Sequence, residues 1–422
     1  MSRKLSPFWT LFILTGLNLF NYFDRYVLSA VLPSVQRDLT LTDSQNGWLG
    51  TAFMLGYFVT SPVFGYLGDR ASRKWLIAVG IFVWSVGTLL TGFAATFAMM
   101  IGFRVLVGVG EASYATISPS YISDTFGSAR RNNALTIFYV AIPVGAALGT
   151  IIGGLISEHW GWRHAFIWAG APGLLLALLL LPFAEPGRGA ADGLDHVSKP
   201  RVADVLRLFC LPDYLLVVGG YVAYTFALGA FALWGPTFLN RVHGMAEAQA
   251  AEFFGLVLVV AGLLGTFVGG FAATAWHKRN RAAYAWVLGL SVLVAVPVSA
   301  GAFLAPSRTV SMACLATAMF LLFLGTGPVN TLILETVPVN LRASAMALSI
   351  FLIHLFGDVP SPLMVGWLSD QWHSLQKAVL VLPVALGVGA LLWLWLALKL
   401  KAGAPAQSGR GTNSGVMPAA SQ

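Results

Sequence analysis

The sequence predicts an all-α integral membrane protein with twelve transmembrane helices in two pseudo-symmetric bundles of six. Three observations carry this reading. Of the 422 residues, 57% are hydrophobic and only 10% charged, with a mean hydropathy of +0.76; a soluble chain carries about 25% charged residues. A hydrocarbon core about 30 Å thick requires around 20 apolar residues per helix, and windows of that kind recur twelve times. The chain also repeats itself. A shift of 212 positions aligns Arg130 with Arg342, Gly145 with Gly357, Gly154 with Gly366 and Trp160 with Trp372. A shift of 204 aligns Asp43 with Glu247, Gln45 with Gln249 and Gly65 with Gly269. Parallel six-helix halves with a midplane site between them are a secondary-transporter plan.

In order, the windows run 8–33, 45–67, 75–95, 98–121, 131–157 and 163–183, then 213–240, 249–275, 282–304, 310–335, 342–369 and 377–400. The first is too long for a signal peptide and no small-residue cleavage site follows it. The fifth carries Gly145, Gly149, Gly153 and Gly154, a spacing suited to close helix packing. Residues 1–183 thus form the first bundle and 213–401 the second. Between them, 184–212 reads as a cytoplasmic linker: Glu185-Pro-Gly-Arg-Gly is turn-rich. Val202, Val205, Leu206 and Phe209 then recur at helical spacing, as in a short helix lying on the membrane surface. Residues 402–422 read as a disordered tail.

Charge sets the orientation. Five cations, Arg37, Arg163, Arg241, Arg308 and Lys377, fall on one side. Most of the others, including Arg3, Lys4, Arg70, Arg73, Lys74, Arg130, Arg131, Lys278, Arg279, Arg281 and Arg342, fall on the other. By the positive-inside rule both termini are cytoplasmic. The net charge of +8 therefore reflects topology, and nucleic acid is not an expected partner. Cys210 and Cys314 are not positioned to pair.

Four ionisable residues interrupt apolar spans: Asp24 and Arg25 in the first, Arg104 and Glu111 in the fourth. A charge at the centre of a membrane helix costs roughly 3 kcal/mol, so such residues face a partner or a water-filled cavity. Arg104 and Glu111 are two helical turns apart and share a face. Asn18, Asn21 and Arg25 line one face of the first span, a polar strip on which an anionic head can settle against the guanidinium fork. Asp24 points roughly 100° away from Arg25. His354 and Asp358 lie one turn apart, deep in the eleventh span. A buried carboxylate whose protonation depends on a nearby Arg can couple proton binding to helix movement. Asp24, Glu111, Arg104, His354 and Asp358 are therefore the candidate proton-coupling residues. A static ion-pair network between spans one and four explains the same charges without coupling.

The loop after the second span reads Gly65-Tyr-Leu-Gly-Asp-Arg-Ala-Ser-Arg-Lys74 and resembles the signature inner loop of the major facilitator superfamily, G-x-L-[AG]-D-R-x-x-R-K. Gly65 permits a tight exit, Asp69 suits a helix N-terminus, and Arg70, Arg73 and Lys74 hold the turn on the cytoplasmic side. These residues, with Asp124 and Arg130 at inner helix ends, form the expected gating set. Narrower resemblance lies in Asn21-Tyr-Phe-Asp-Arg25, Pro62-Val-Phe-Gly-Tyr-Leu-Gly-Asp-Arg70 and Gly108-Val-Gly-Glu-Ala-Ser-Tyr114. These are similar to the spinster family of lipid transporters. That resemblance implies a major facilitator fold and lysophospholipids or phosphorylated sphingoid bases as substrates. It also implies proton dependence and adds Tyr114 to the candidate substrate contacts Asn18, Asn21 and Arg25.

An enzyme would need a nucleophile, metal ligands or paired acids near a bilayer surface, and no H-E-x-x-H, G-x-S-x-G or Cys/His cluster occurs. No phosphate-binding loop G-x-x-x-x-G-K-[ST] occurs either, so a gradient must supply the energy. One pH unit is worth about 1.4 kcal/mol and 100 mV about 2.3 kcal/mol per charge. The expected protein is a proton-coupled, alternating-access transporter, monomeric and without cofactor, in a bacterial cytoplasmic membrane. Its expected substrate is a lysophospholipid or similar anionic amphiphile. A carrier of small organic anions and a transport-inactive receptor of the same fold stay open.

Overall fold

Polar punctuation sets the helix ends. Pro7 takes the first position of α1 (Pro7–Leu39) and the Ser6 hydroxyl accepts the Trp9 amide, the arrangement that satisfies an otherwise orphaned donor. Thr40, in the left-handed region at φ 51°, ends the helix. Then come α2 (Asp43–Gly68), α3 (Arg73–Thr91), α4 (Phe97–Thr125), α5 (Ser128–Trp160) and α6 (Trp162–Leu179). The second set is α7 (Pro212–His243), α8 (Glu247–His277), α9 (Ala283–Leu304), α10 (Arg308–Phe323), α11 (Thr326–Glu335), α12 (Arg342–Ile353), α13 (Pro360–Trp372), α14 (Leu375–Ala378) and α15 (Val381–Ala402). This computed structural model describes residues 6–68, 70–126, 128–179, 181, 185, 187, 206–338 and 341–402, and no strand occurs among them.

Each of the twelve windows overlaps a helix in its described residues, but three are interrupted. Gly325 separates α10 from α11, and α14 is a separate turn before α15. Between α12 and α13 the chain widens into a π turn, His354–Asp358, in which the Val359 amide donates to the His354 carbonyl at 3.1 Å. Pro360, lacking an N–H, cannot continue the regular ladder there. Among the described residues, nine stretches are both long and apolar enough to cross a membrane. The count falls below twelve because α1 carries Asn18, Asn21, Asp24 and Arg25, α2 is diluted by five glycines and by Tyr57, Thr60, Ser61 and Pro62, and α6 is described only as far as Leu179.

Within the first set, α1 packs on α5, α4 fills the space between α2 and α3, and α3 meets α6. Within the second, α15 packs on α7 and α9, and α10 on α8 and α9. Across the sets, α5 lies on α8, α2 on α13 and α1 on α7. The core follows suit. One cluster, with Leu14, Ile77, Trp84, Tyr114 and Phe138, stays within the first set. The other joins the C-terminal half of α1, Val27–Val35, to the helices of the second set. The sets are therefore fused at the end that carries Asp43.

Glycines make the closest approaches. A Cβ at Gly108 would stand 2.1 Å from the Phe53 carbonyl oxygen, and one at Gly110 would stand 2.4 Å from the Trp84 nitrogen. These two positions wedge α4 between α2 and α3 and aim Glu111 at α1. Gly145 and Gly149 likewise lie on the α1 backbone at Leu19 and Phe23, as their spacing predicts. Gly108→Ala is expected to cost about 1–3 kcal/mol by overpacking, seen as a lowered melting temperature in detergent. Gly102→Ala, which meets nothing within 4 Å, is the control.

Of the predicted linker, only Glu185, Gly187 and the residues from 206 onward are described. There the chain forms a 3-10 turn, Arg207–Cys210, with Leu206 and Phe209 exposed and Leu208 buried. The predicted tail beyond residue 402 lies outside the described residues.

Candidate functional site

The internal charges converge. Arg25 of α1 reaches Glu111 of α4, its Nη2 2.9 Å and Nε 3.2 Å from Glu111 Oε2. The Glu111 side chain is fully buried, while that of Arg25 keeps 15% of its surface exposed. Three aromatic rings surround this guanidinium: Tyr22 and Phe53 at 4.8 Å and Tyr57 at 5.3 Å from its carbon. Arg104, on one face of α4 with Glu111, also lies over the Phe53 ring at 4.7 Å and donates to the Leu49 carbonyl at 3.4 Å. Both arginines open onto one cavity of about 220 Å³ between the two helix sets. Asp358 faces it from the second set, and Leu28, Met54, Leu228, Leu233 and Pro362 supply apolar wall.

His354 and Asp358 pair as expected, His354 Nδ1 standing 3.0 Å from both carboxylate oxygens. The π turn holds them on one side. Gly229 of α7 makes room, since a Cβ there would stand 2.5 Å from the Asp358 Cβ. The His354 ring meets Tyr57 edge-on at 6.1 Å, which links this pair to the cage around Arg25.

The polar strip on α1 is arranged differently from its helical-wheel projection. Asn18 donates to the Phe138 carbonyl at 2.9 Å and ties α1 to α5. Asn21 is buried beside Glu111. Only Arg25 of the three lines the cavity. Asp24, turned away from Arg25 as predicted, is buried against α3, with Thr88 Oγ1 at 3.4 Å. Tyr114 is fully buried between Trp84 and Phe138, its hydroxyl donating to the Leu14 carbonyl. Because α1 crosses between α4 and α5, the side chains on its strip meet neighbouring helices before they meet open space.

The inner-loop residues knit the first set together. Arg73, buried at the start of α3, pairs with Asp124 of α4 and with Glu185, whose Oε1 is 2.9 Å from Nε. Glu185 also accepts the Ser72 hydroxyl at 2.8 Å and the Arg73 amide at 3.2 Å, so it caps α3 from a distance. Lys74 Nζ donates to the Leu181 carbonyl at 3.2 Å, and Arg70 stacks on Tyr66. A Cβ at Gly65 would lie 3.7 Å from Thr116. Arg130 is exposed near the start of α5, and Glu335 meets His277 at 3.5 Å. Asp69 lies outside the described residues.

Burial pushes the Glu185 carboxyl up, but the hydrogen bonds from Arg73 and Ser72 outweigh it and hold the group below the usual carboxylate range. A depressed folded value stabilises above the unfolded value, about 4.3, and that contribution fades as pH falls through the folded value. Glu185→Gln is thus expected to lower the melting temperature at neutral pH. The gap to wild type should close below about pH 4; a gap independent of pH would contradict this.

The aromatic cage around Arg25 is not legible in the sequence. Tyr22 lies inside the Asn21–Arg25 motif, but Phe53 and Tyr57 sit on another helix and become neighbours of Arg25 only through the Gly108 contact.

A bundle of apolar helices with opposed charges turned into a cavity between two helix sets is built as a membrane transporter. A family model described as Major Facilitator Superfamily matches residues 14–357. Protein spinster of Drosophila melanogaster is 35% identical over 376 residues, 86% of this chain and 62% of that protein, so the chain spans less than two thirds of that relative's length. Protein spinster homolog 1 of Xenopus laevis is 36% identical over 387 residues, covering 85% of this chain and 72% of the relative. The sphingosine-1-phosphate transporter of Danio rerio is 33% identical, covering 92% and 84% respectively. Among solved structures, a bacterial homolog of the human lysosomal transporter Spinster, inward-facing and unoccupied, superposes with TM-score 0.85 at 25% identity, over 95% of this chain and 99% of that one. The chain belongs to the major facilitator superfamily and, within it, to the spinster family. It is a multi-pass integral membrane transporter and not an enzyme.

Proposed function

We propose that this protein is a secondary active transporter that moves a lysophospholipid or similar anionic amphiphile by alternating access, coupled to protons. The carrying observation is that Arg25, paired with the fully buried Glu111, lines a cavity together with Arg104 and Asp358. Arg25 can serve either Glu111 or an anionic head group. Protonation of Glu111 would free the guanidinium for substrate, and substrate release would return it. Asp24 and the His354–Asp358 pair stand beside this exchange as further proton sites. Asn18 and Tyr114 we assign to helix packing, and Asn21 to orienting Glu111.

In this reading the protein is monomeric, with twelve spans in two six-helix bundles, both termini cytoplasmic, in a bacterial cytoplasmic membrane. The Asp43 end is then the outer end, and its fusion supports an inward-facing state, the state named for two solved neighbours with TM-scores of 0.82 and 0.85. The Gly65–Lys74 loop, Asp124 and Arg130 act at the opposite end as gating structure. The sphingosine-1-phosphate transporter and probable sphingolipid transporter among the relatives, together with the apolar cavity wall, support a lipid-like substrate. The cavity's volume, about 220 Å³, favours a second reading, a small organic anion, because it suits a head group without its chain. Binding measured in detergent with a lysophospholipid, its water-soluble glycerophosphate head and a panel of carboxylates separates the two. The first reading requires the lysophospholipid to bind best, and preference for a short anion supports the second.

A further inference from the structure

The fused end carries a duplicated lock. Arg37 ends α1 and Arg241 ends α7, 204 positions apart. Each reaches out of its own helix set to the acid that opens the second helix of the other set: Arg241 to Asp43 at 2.7 and 2.9 Å, and Arg37 to Glu247. Asp43 and Glu247 are also 204 apart. The supporting turns repeat as well. Gln36 Nε2 donates to the Leu41 carbonyl at 3.0 Å, and its counterpart Asn240 Nδ2 donates to the Met245 carbonyl at 2.7 Å. Thr40 and Gly244, again 204 apart, hold the matching left-handed positions.

The two copies are unequal. The Asp43 side chain is 11% exposed and receives Ser369 Oγ at 2.5 Å and Gln36 Nε2 at 2.9 Å besides Arg241. Arg241 also meets Gln36. Next to this node, the Asp370 carboxylate caps α2 from the other set, accepting the Asp43 amide at 2.9 Å and the Ser44 amide at 2.8 Å. Glu247 has Ser34 Oγ at 2.6 Å, but its arginine, Arg37, is 66% exposed. Water screens that pair far more than the first.

We propose that these reciprocal pairs are the outer gate: each half closes on the other through the same repeated element, with Arg241–Asp43 the principal lock and Arg37–Glu247 the weaker one. This rests on the alternating-access reading above. Spin labels at exposed Glu158 and Gln249, one in each set, report this end; labels at Ala71 and Lys278 report the opposite end. On monodisperse purified protein, Arg37→Gln is expected to raise the open-to-closed ratio at this end about twofold and Arg241→Gln about fivefold. The double variant should show roughly the product of the two, and Arg241→Lys, which keeps the charge but cannot hold Asp43 and Gln36 together, should fall between Arg241→Gln and wild type. The proposal is overturned if wild-type distances change with pH or added lysophospholipid while both Gln variants match wild type, or if Arg37→Gln has the larger effect. If neither end moves in any variant or condition, alternating access itself fails and the gate with it.

Discussion

Arg25→Lys is expected to weaken binding of the anionic substrate about 10- to 100-fold although it preserves the charge. Two of the guanidinium's nitrogens already address Glu111 Oε2, and its plane lies among Tyr22, Phe53 and Tyr57. An ammonium cannot bridge two acceptors in a fork or stack its plane on a ring. Losing a charge-assisted hydrogen bond costs about 1.5–3 kcal/mol, which gives that range of affinity at 1.4 kcal/mol per tenfold. Equilibrium binding in detergent checks it, with Arg104→Lys measured in parallel. Unchanged affinity for Arg25→Lys with loss for Arg104→Lys would move the head-group contact to Arg104.

Glu111→Gln should uncouple transport from pH. Glutamine imitates the protonated acid, so Arg25 is permanently released and the step that a proton would control is gone. A single coupled proton gives up to about tenfold change in a driven equilibrium per pH unit. Wild-type uptake should approach that dependence on the imposed gradient, whereas the variant's uptake should be nearly flat, with substrate affinity at or above that of wild type because Glu111 no longer competes for Arg25. Removing one member of a buried ion pair also costs stability, about 3–5 kcal/mol, so a melting curve accompanies the assay. A variant that transports with the wild-type pH profile would pass the role to His354 and Asp358, whose pairing at 3.0 Å makes them the next acid–base unit.

The helices and their order could be read from hydropathy because lipid imposes a simple length rule. Charge spacing brought out the face shared by Arg104 and Glu111 and the His354–Asp358 pair, because i,i+4 and i,i+7 relations are local. Partners set by packing were out of reach. Nothing local distinguishes Asn18, which turns to Phe138, from Arg25, which turns to the cavity. That difference depends on where α5 crosses α1, at Gly145 and Gly149. The π turn depends on Pro360 and on the space left by Gly229, a contact between two distant segments. The reciprocal arginines Arg37 and Arg241 had their repeat in plain view, yet their partners lie in the opposite half.

The central claim is that an anionic amphiphile crosses the membrane by an Arg25–Glu111 exchange driven by protons. Uptake into reconstituted liposomes, with a labelled lysophospholipid and a labelled small organic anion, with and without a pH gradient, tests it most directly. The account predicts lysophospholipid flux that rises with the gradient in wild type, loses that response in Glu111→Gln and falls in Arg25→Lys. Flux of the small anion alone, or lysophospholipid flux indifferent to the gradient in wild type, would contradict it.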